Sequence, residues 1–297
     1  MSFQITTAFV RQYHANIERL LQQRGSRFRM CVRTEGQSSE QQFWEQIGSV
    51  EAALITTRHG DSPQVDTPHD RRRTTLSFYD VGDMIDKIDK VQMLIDPSST
   101  YVQNFVDALN RKLDDTVIAA FFGVANTGKE GTTSTTFPGA NVINEDFGVA
   151  NSGMTIAKLI EARRLLKSYH NDPSEDEWYV AWTAKEEADL LNTTQATSAD
   201  YASVKALVRG DIDTFMGFKF VHSERLLTSA GGGGATTVNR CPVWTKQGLL
   251  LAIGMDITAR VAERPDKRFS WYAYANAGFG AVRMQENKVI EIQSFVA

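Results

Sequence analysis

The stretch DPSSTYVQNFVDALNRKLDDTVIAAFFGVANTGKEGTT, residues 96–133, decides the fold. Asp96-Pro97-Ser98-Ser99 is a helix start, with Ser98 or Ser99 able to cap the first free N–H groups. Val102, Phe105, Val106, Leu109, Leu113, Val117 and Phe121 then recur at spacings of three and four, the signature of one buried helical face. The expected helix runs from about 99 to 121, close to 35 Å at about 1.5 Å per residue, and Gly123 ends it. Gly123, Gly128 and Lys129 also fit the spacing G-x-x-x-x-G-K-[ST] of a phosphate loop. Two facts oppose that reading. Glu130 stands where Ser or Thr should ligate magnesium, and the helix precedes the glycines. A phosphate loop runs strand, loop, helix, because the helix N-terminus supplies the dipole and the free N–H groups. A nucleotide- or phosphate-binding enzyme built on residues 123–129 is therefore the weaker alternative.

A chain of 297 residues with 42% hydrophobic and 23% charged residues suits one or two soluble globular domains. A net charge of −4 gives no general attraction to nucleic acid, so any such contact must be local. Cys31 and Cys241 make no disulfide framework or zinc spacing, which suits a reducing cytoplasm. The longest apolar run, GLLLAIGM from Gly248, is too short to span a bilayer, so no membrane partner is expected. His14, His59, His69, His170 and His222 sit in unlike contexts, and no H-E-x-x-H, C-x-x-C or G-x-S-x-G occurs. Asp80, Asp83, Asp86 and Asp89 are three apart, which is not calcium-loop spacing. Glu186-Glu187 reads as a solvated pair. No catalytic, cofactor-binding or metal-ligating residue is assigned, and the chain is not expected to be an enzyme.

Charge is concentrated at the start. Between residues 1 and 33, Arg11, Arg19, Arg24, Arg27, Arg29 and Arg33 face one acid, Glu18. Phe9, Val10, Tyr13, Ile17, Leu20 and Leu21 give residues 7–23 a helical period. This basic arm is expected to lie against something acidic. Residues 50–79 read as a long hairpin: VEAALITTR (50–58) and RRTTLSFY (72–79) are its strands, with a polar tip broken by Gly60, Pro63 and Pro68. A two-stranded ribbon is marginal alone and must lean on something else. Arg71-Arg72-Arg73 is read as meeting an acidic protein surface or solvent.

After NSGMT, a second amphipathic helix carries Ile156, Leu159, Ile160, Leu165, Leu166 and Tyr169 inward. WYVAWT reads as strand, AKEEADLLN as short helix, DYASVKALV as helix, FMGFKFVHS as strand and TSAGGGGATTV as flexible loop. From Val243 the reading is mostly strand, with Gly278 and Gly280 marking a bulge or close packing and Gln285-Glu286-Asn287 turning a last hairpin. The fold class is α+β, without repeats and without a parallel βαβ series.

Taken in order, these segments resemble the major capsid proteins of tailed bacteriophages, particularly short-tailed phages and related prophage elements. FVRQYHANIERLLQQRGSRFRMCV resembles the family's opening arm. TPHDRRRTTLSFYDVGDMIDKIDKVQMLIDPSSTYVQNFVDALNRKLDD resembles the far strand of its extended loop running into its spine helix. GMTIAKLIEARRLL is similar to the helix that follows, and GFKFVHSERL with ARVAERPDKRFSWYAYANAGFGAVRMQENKVIEI to the closing strands. The resemblance covers nearly the whole chain. It implies a Hong Kong 97-type major capsid fold: N-terminal arm 1–48, extended β-hairpin loop 49–80, peripheral (spine) domain 81–152 with 255–297, and axial domain 153–254. It also implies self-assembly through hexamers and pentamers into an icosahedral virion shell around double-stranded DNA, formed in the host cytoplasm. A portal and a separate scaffolding protein are implied partners, and no cofactor is. Leu54, Arg71, Arg72, Arg73, Leu76, Phe78 and Tyr79 are then expected at contacts between subunits. Arg11, Arg19, Arg24, Arg27 and Arg29 are expected to meet DNA or a neighbour. Nanocompartments and gene-transfer particles share the fold and remain alternatives within it. No Lys–Asn crosslinking pair is matched, so non-covalent assembly is expected.

Overall fold

The computed structural model describes residues 20–52, 54–56, 58, 60, 62, 64–85, 98–192, 214–230 and 237–296. Helix α1, Ser98–Phe122, is the expected long helix. Phe105, Leu109, Leu113, Val117 and Phe121 are buried along one face, as their spacing requires. Gly123 ends it, its N–H returning to the Ala119 carbonyl at 3.0 Å. A Cβ at Gly123 would lie 2.8 Å from that same oxygen, so glycine is the residue that fits. The last carbonyls of a helix lack partners within it. Here the buried Arg283 supplies them, its Nη1 donating to Phe121 O at 2.7 Å and Gly123 O at 2.9 Å. A cation at the C-terminal end also suits the helix dipole.

The chain divides into two compact units. The larger comprises Ser26–Ser77, Lys112–Asp256 and Gly278–Ala297. Its strands are β1 Arg33–Gly36, β2 Gln41–Ile47, β3 His69–Thr75, β5 Ala125–Thr127, β6 Thr133–Thr135, β7 Val142–Ile143, β8 Trp178–Trp182, β9 Thr214–Phe215, β10 Phe218–His222, β11 Thr228–Ala230, β12 Thr237–Thr245, β15 Val289–Phe295 and the first half of β13 Leu249–Arg264. A seven-stranded mixed sheet has the order β7-β15-β12-β8-β10-β9, with β11 also on β12. Its spine is the antiparallel pair β12 and β15, in register from Val238↔Phe295 to Trp244↔Val289. Every residue of β8 is buried, so this strand is covered on both faces. Helix α2, Ile156–Ser168, buries Leu159, Ala162 and Leu166; helix α3, Ala184–Leu191, starts with a capping box between Thr183 and Glu186. A second sheet has the order β2-β3-β5-β6, and β1 runs parallel to β13 from Arg33↔Leu250 to Gly36↔Ile253.

The smaller unit comprises Met1–Gly25, Phe78–Arg111 and Ile257–Ala277. It contains most of β4 (Ser77–Ile85), the outer half of β13 and the first part of β14 (Ser270–Arg283). Among its described residues the buried apolar side chains are Ile85, Phe105 and Leu109, with Ala273, Ala275 and Ala277 along β14, and Asp107 and Ser270 are buried polar groups. Gly82 lets β4 approach β14 closely, since a Cβ there would sit 2.4 Å from the Tyr272 hydroxyl.

Three expectations are corrected. Residues 50–58 carry no strand at their described positions; Gln41–Ile47 pairs with β3 instead, from Gln41↔Thr75 to Ile47↔His69. The ladder is held by side chains as well as backbone, Trp44 Nε1 donating to Thr74 Oγ1 at 2.9 Å and Gln46 Nε2 to Met284 O at 2.8 Å. FMGFKFVHS is not one strand, because Met216 and Gly217 take φ of 54° and 84° and turn the chain between β9 and β10. Glu286–Lys288 turns no hairpin either: β14 and β15 lie in different sheets. Gly280 is a close approach as expected, with Thr75 O 2.3 Å from where its Cβ would be. The helices expected over 7–23 and in DYASVKALV fall wholly or mostly outside the described residues, as does the run of glycines at 231–234.

Asp114 anchors residues 26–28 of the arm. Asp114 of α1 is fully buried and accepts from Ser26 Oγ at 2.5 Å, the Arg27 N–H at 2.9 Å and the Phe28 N–H at 3.3 Å. Phe28 then enters an aromatic cluster, 6.2 Å from Phe121 and 5.8 Å from Trp244, whose indole N–H reaches Cys31 O at 2.9 Å. Asp114→Ala leaves a hydroxyl and two N–H groups without their acceptor. It is expected to destabilise the unassembled subunit by about 2–4 kcal/mol, read as a lower urea midpoint with unchanged slope; a shift within error would contradict this account of the arm.

Candidate subunit interface

The β2–β3 ladder ends in a neck. Gly48 N–H donates to Pro68 O at 2.8 Å, and a Cβ at Gly48 would meet the Pro68 ring at 2.6 Å. Beyond the neck, the described residues from 49 to 67 form no strand, and their apolar side chains point to solvent. Leu54 is 87% exposed and Ile55 88%, with Ile47, Val50 and Val65 also open. Covering one such side chain is worth roughly 1.5–3 kcal/mol. A cluster of them in one limb makes it the candidate surface for a partner. Only Leu54 among these was singled out from sequence. Val50 and Ile55 fall in the stretch expected to be a strand, and their exposure is what that expectation did not give.

The three consecutive arginines have three different fates. Arg71 is half exposed, paired with Glu45 at 2.9 Å, and lies 5.7 Å from the Phe43 ring centre. Arg72 is buried, its Nε donating to Met284 O at 2.9 Å and its Nη2 to Glu286 at 2.8 Å. Arg73 packs along Gly131, where a Cβ would come within 2.7 Å of its Cδ. Leu76 is buried too, filling the space beside Gly254. Arg72 and Leu76 are thus spent inside their own chain. The alternation of β3 sends Arg72 to the covered face while Arg71 stays open. In the smaller unit, Phe78 is exposed and Tyr79 half-buried.

The arm's charge is likewise partly used internally. Arg29 forms a two-pronged pair with Asp256 at 3.0 and 2.8 Å, which raises its pKa, and Arg33 reaches Glu35 at 3.0 Å. Arg24 and Arg27 have exposed side chains, while Arg11 and Arg19 lie outside the described residues. The glycine stretch is a hairpin turn. Gly128 and Gly131 take φ of 85° and 64° between β5 and β6, which pair from Ala125↔Thr135 to Thr127↔Thr133. Lys129 and Glu130 project from its tip, and no helix follows, so the geometry of a phosphate loop is missing. Among the described residues, no three His, Cys, Asp or Glu side chains are grouped to hold a metal.

This architecture is that of solved phage capsids. The capsid of cyanophage P-SCSP1u is 15% identical, with 97% of this chain and 94% of that one covered at a TM-score of 0.76. The capsid of Ralstonia phage GP4 is 10% identical, with 97% and 96% covered at 0.75. The head structure of Helicobacter pylori bacteriophage KHP40 is 9% identical, with 99% and 98% covered at 0.77. The fold is therefore the α+β Hong Kong 97-type capsid fold. At the level of sequence, the family model described as phage capsid protein matches residues 5–296, and the chain belongs to that family: it is a major capsid protein of the tailed-phage type, a structural component of the virion. No curated protein matches by sequence.

The unlike roles of neighbouring arginines can be measured. Arg72→Ala, which removes one of two donors to Met284 O and the closer of two cations beside Glu286, is expected to cost about 2–4 kcal/mol. Arg71→Ala removes only an exposed pair and should cost less than about 1 kcal/mol. Thermal unfolding of the two variants checks the contrast, and equal losses would refute it.

Proposed function

We propose that this chain self-assembles through hexamers and pentamers into an icosahedral shell that encloses double-stranded DNA, built in the host cytoplasm with a portal and a separate scaffolding protein. The role is structural rather than enzymatic. Residues 1–48 act as the arm, 49–80 as the extended loop, 81–152 with 255–297 as the peripheral domain and 153–254 as the axial domain. The observation that carries the reading is the limb beyond the Gly48–Pro68 neck, whose Leu54 and Ile55 stand almost fully exposed. An apolar limb on a closed neck adds little to its own subunit and much to a neighbour that covers it. Leu54, with Phe78 and Tyr79 of the smaller unit, are the proposed contacts between subunits. Arg71 and Arg73 contribute to the rim, where each exposed ion pair is worth about 0–1 kcal/mol.

Because the neck already brings the chain ends together, residues 49–67 can be replaced by Asn-Gly. The shortened chain is expected to keep native circular dichroism and its unfolding midpoint, yet to sediment as small species instead of shells. Complete particles from this variant would sink the assembly reading.

The arm is proposed to meet packaged DNA through Arg24 and Arg27, the arginines with exposed side chains. Arg24→Ala with Arg27→Ala should leave empty shells intact, make filled particles less stable at low salt and flatten the loss of their stability as salt rises, since fewer phosphate contacts release fewer counterions. Filled particles with wild-type salt tolerance would refute the DNA contact.

A further inference from the structure

The loop between β7 and α2 is held in shape by its own bonds. Asp146 accepts the Asn151 N–H at 2.9 Å, and the Phe147 N–H returns to Asn144 O at 3.1 Å. Ser152 closes the base, its N–H and its hydroxyl both donating to Glu145 O, at 3.1 and 2.8 Å. Gly148 and Asn151 take φ of 83° and 49°, left-handed angles that glycine and asparagine adopt most readily. The tip nevertheless turns Phe147 and Val149 outward, Val149 being 68% exposed. Such a tip adds little to its own core. Because its shape is set before a partner arrives, a contact made through it costs little ordering.

The same unit carries the complement. A cleft of about 410 Å³ is lined by Phe122, Val124, Phe137 and Val142 and by the ion pair of Arg240 with Glu291. The Phe122 and Phe137 rings meet edge-on at 5.3 Å, and Val124 beside them is 57% exposed. Arg240 donates through Nε and Nη2 to Glu291 at 2.8 and 2.5 Å, and its guanidinium lies 4.2 Å from the Phe122 ring centre. Its Nη1 has no partner among the described residues, and the side chain keeps 23% of its surface open. An apolar cleft with one free cationic donor suits an acid followed by apolar side chains. Loop and cleft both border β7, the edge of the seven-stranded sheet, where another copy can approach.

We propose that this cleft in one copy receives the Asp146–Val149 tip of a second copy, with Phe147 and Val149 covering Phe122, Phe137 and Val124 and Asp146 facing Arg240. The inference rests on the reading of the chain as a shell protein and adds a contact between the larger units of two copies, separate from the limb. Burial of the apolar tip supplies the affinity, and the Asp146–Arg240 approach sets the register.

Opposite charges placed on the two halves test it. Val149→Asp sets a carboxylate against the apolar cleft and Val124→Lys an ammonium in it, so each alone should raise the concentration needed for shell formation about tenfold. Together the new charges can pair, and the double variant should recover most of that loss. Both positions are open to solvent in the single subunit, so the unfolding temperature of the unassembled chain should stay unchanged, which a residue serving only the fold would not allow. The proposal is overturned if Val149→Asp assembles normally, or if the double variant is no better than its parents; the tip then docks elsewhere and shell formation itself stands. Variants that assemble normally when purified but fail in cells would also overturn it, placing the tip against a separate assembly protein. A wild-type chain that forms no particles would instead remove the underlying reading.

Discussion

One guanidinium fixes the larger unit around the end of its long helix. Arg283 is fully buried, and burial pulls its pKa down while Glu286 opposes that pull. A buried cation is tolerable only when its surroundings answer it. Here two helix-terminal carbonyls accept from it, Glu286 stands 3.5 Å away and the Phe137 ring centre lies 5.2 Å from its carbon. Arg72 reaches Glu286 from the other side. The Glu286 carbonyl in turn accepts from Asn141, whose side-chain oxygen is bound by Tyr169. The helix end, the inner strand of the β2–β3 ladder and the link from β14 to β15 are therefore set by one connected polar group, and shifting any of them would leave a buried charge or carbonyl unanswered.

The opposite margin of the larger unit is held by the same means. Lys158 on α2 is buried, with its ammonium donating to the carbonyls of Ser152, Gly153 and Gln293 at 2.8–2.9 Å. Burial lowers its pKa to about 8. Lys185 reaches Phe295 O at 2.6 Å. The last strand is thus clamped by two lysines as well as by its ladder. The smaller unit has no such density of buried groups among its described residues, and alanines line much of its covered face. Its exposed Phe78, Met84 and Phe269 fit a part that gains much of its order from neighbours.

Elements with a strong period were legible in the sequence. The seven apolar positions from Val102 to Phe121 placed α1 within about a residue, because burial of one face is what selects them. WYVAWT likewise reads as strand, and the structure adds that Trp178–Trp182 is covered on both sides. What failed were pairings decided by long-range contacts. Gln41–Ile47 is given no element in the sequence reading, and its place in a sheet depends on Thr74, Arg72 and Met284, which are distant in sequence. Arg72 and Arg71 are indistinguishable as letters; only the pleat of β3 makes one a buried tie and the other a surface pair. Arg29 is similar, since its partner Asp256 lies 227 residues away. The glycine stretch was legible for the reverse reason: helix before loop is a local fact that no distant contact can alter.

The Gly48–Pro68 neck separates two quantities that are bound together in most folds. Everything on the strand side of that bond belongs to the subunit's packing; everything beyond it contributes reach. Doubling the length of a closed loop costs only about 0.6 kcal/mol. Insertions or deletions between residues 49 and 67 therefore change how far the subunit can span at nearly constant stability. Lineages carrying this neck are free to vary the limb in length and composition, and a foreign peptide placed there would be displayed without taxing the fold that carries it.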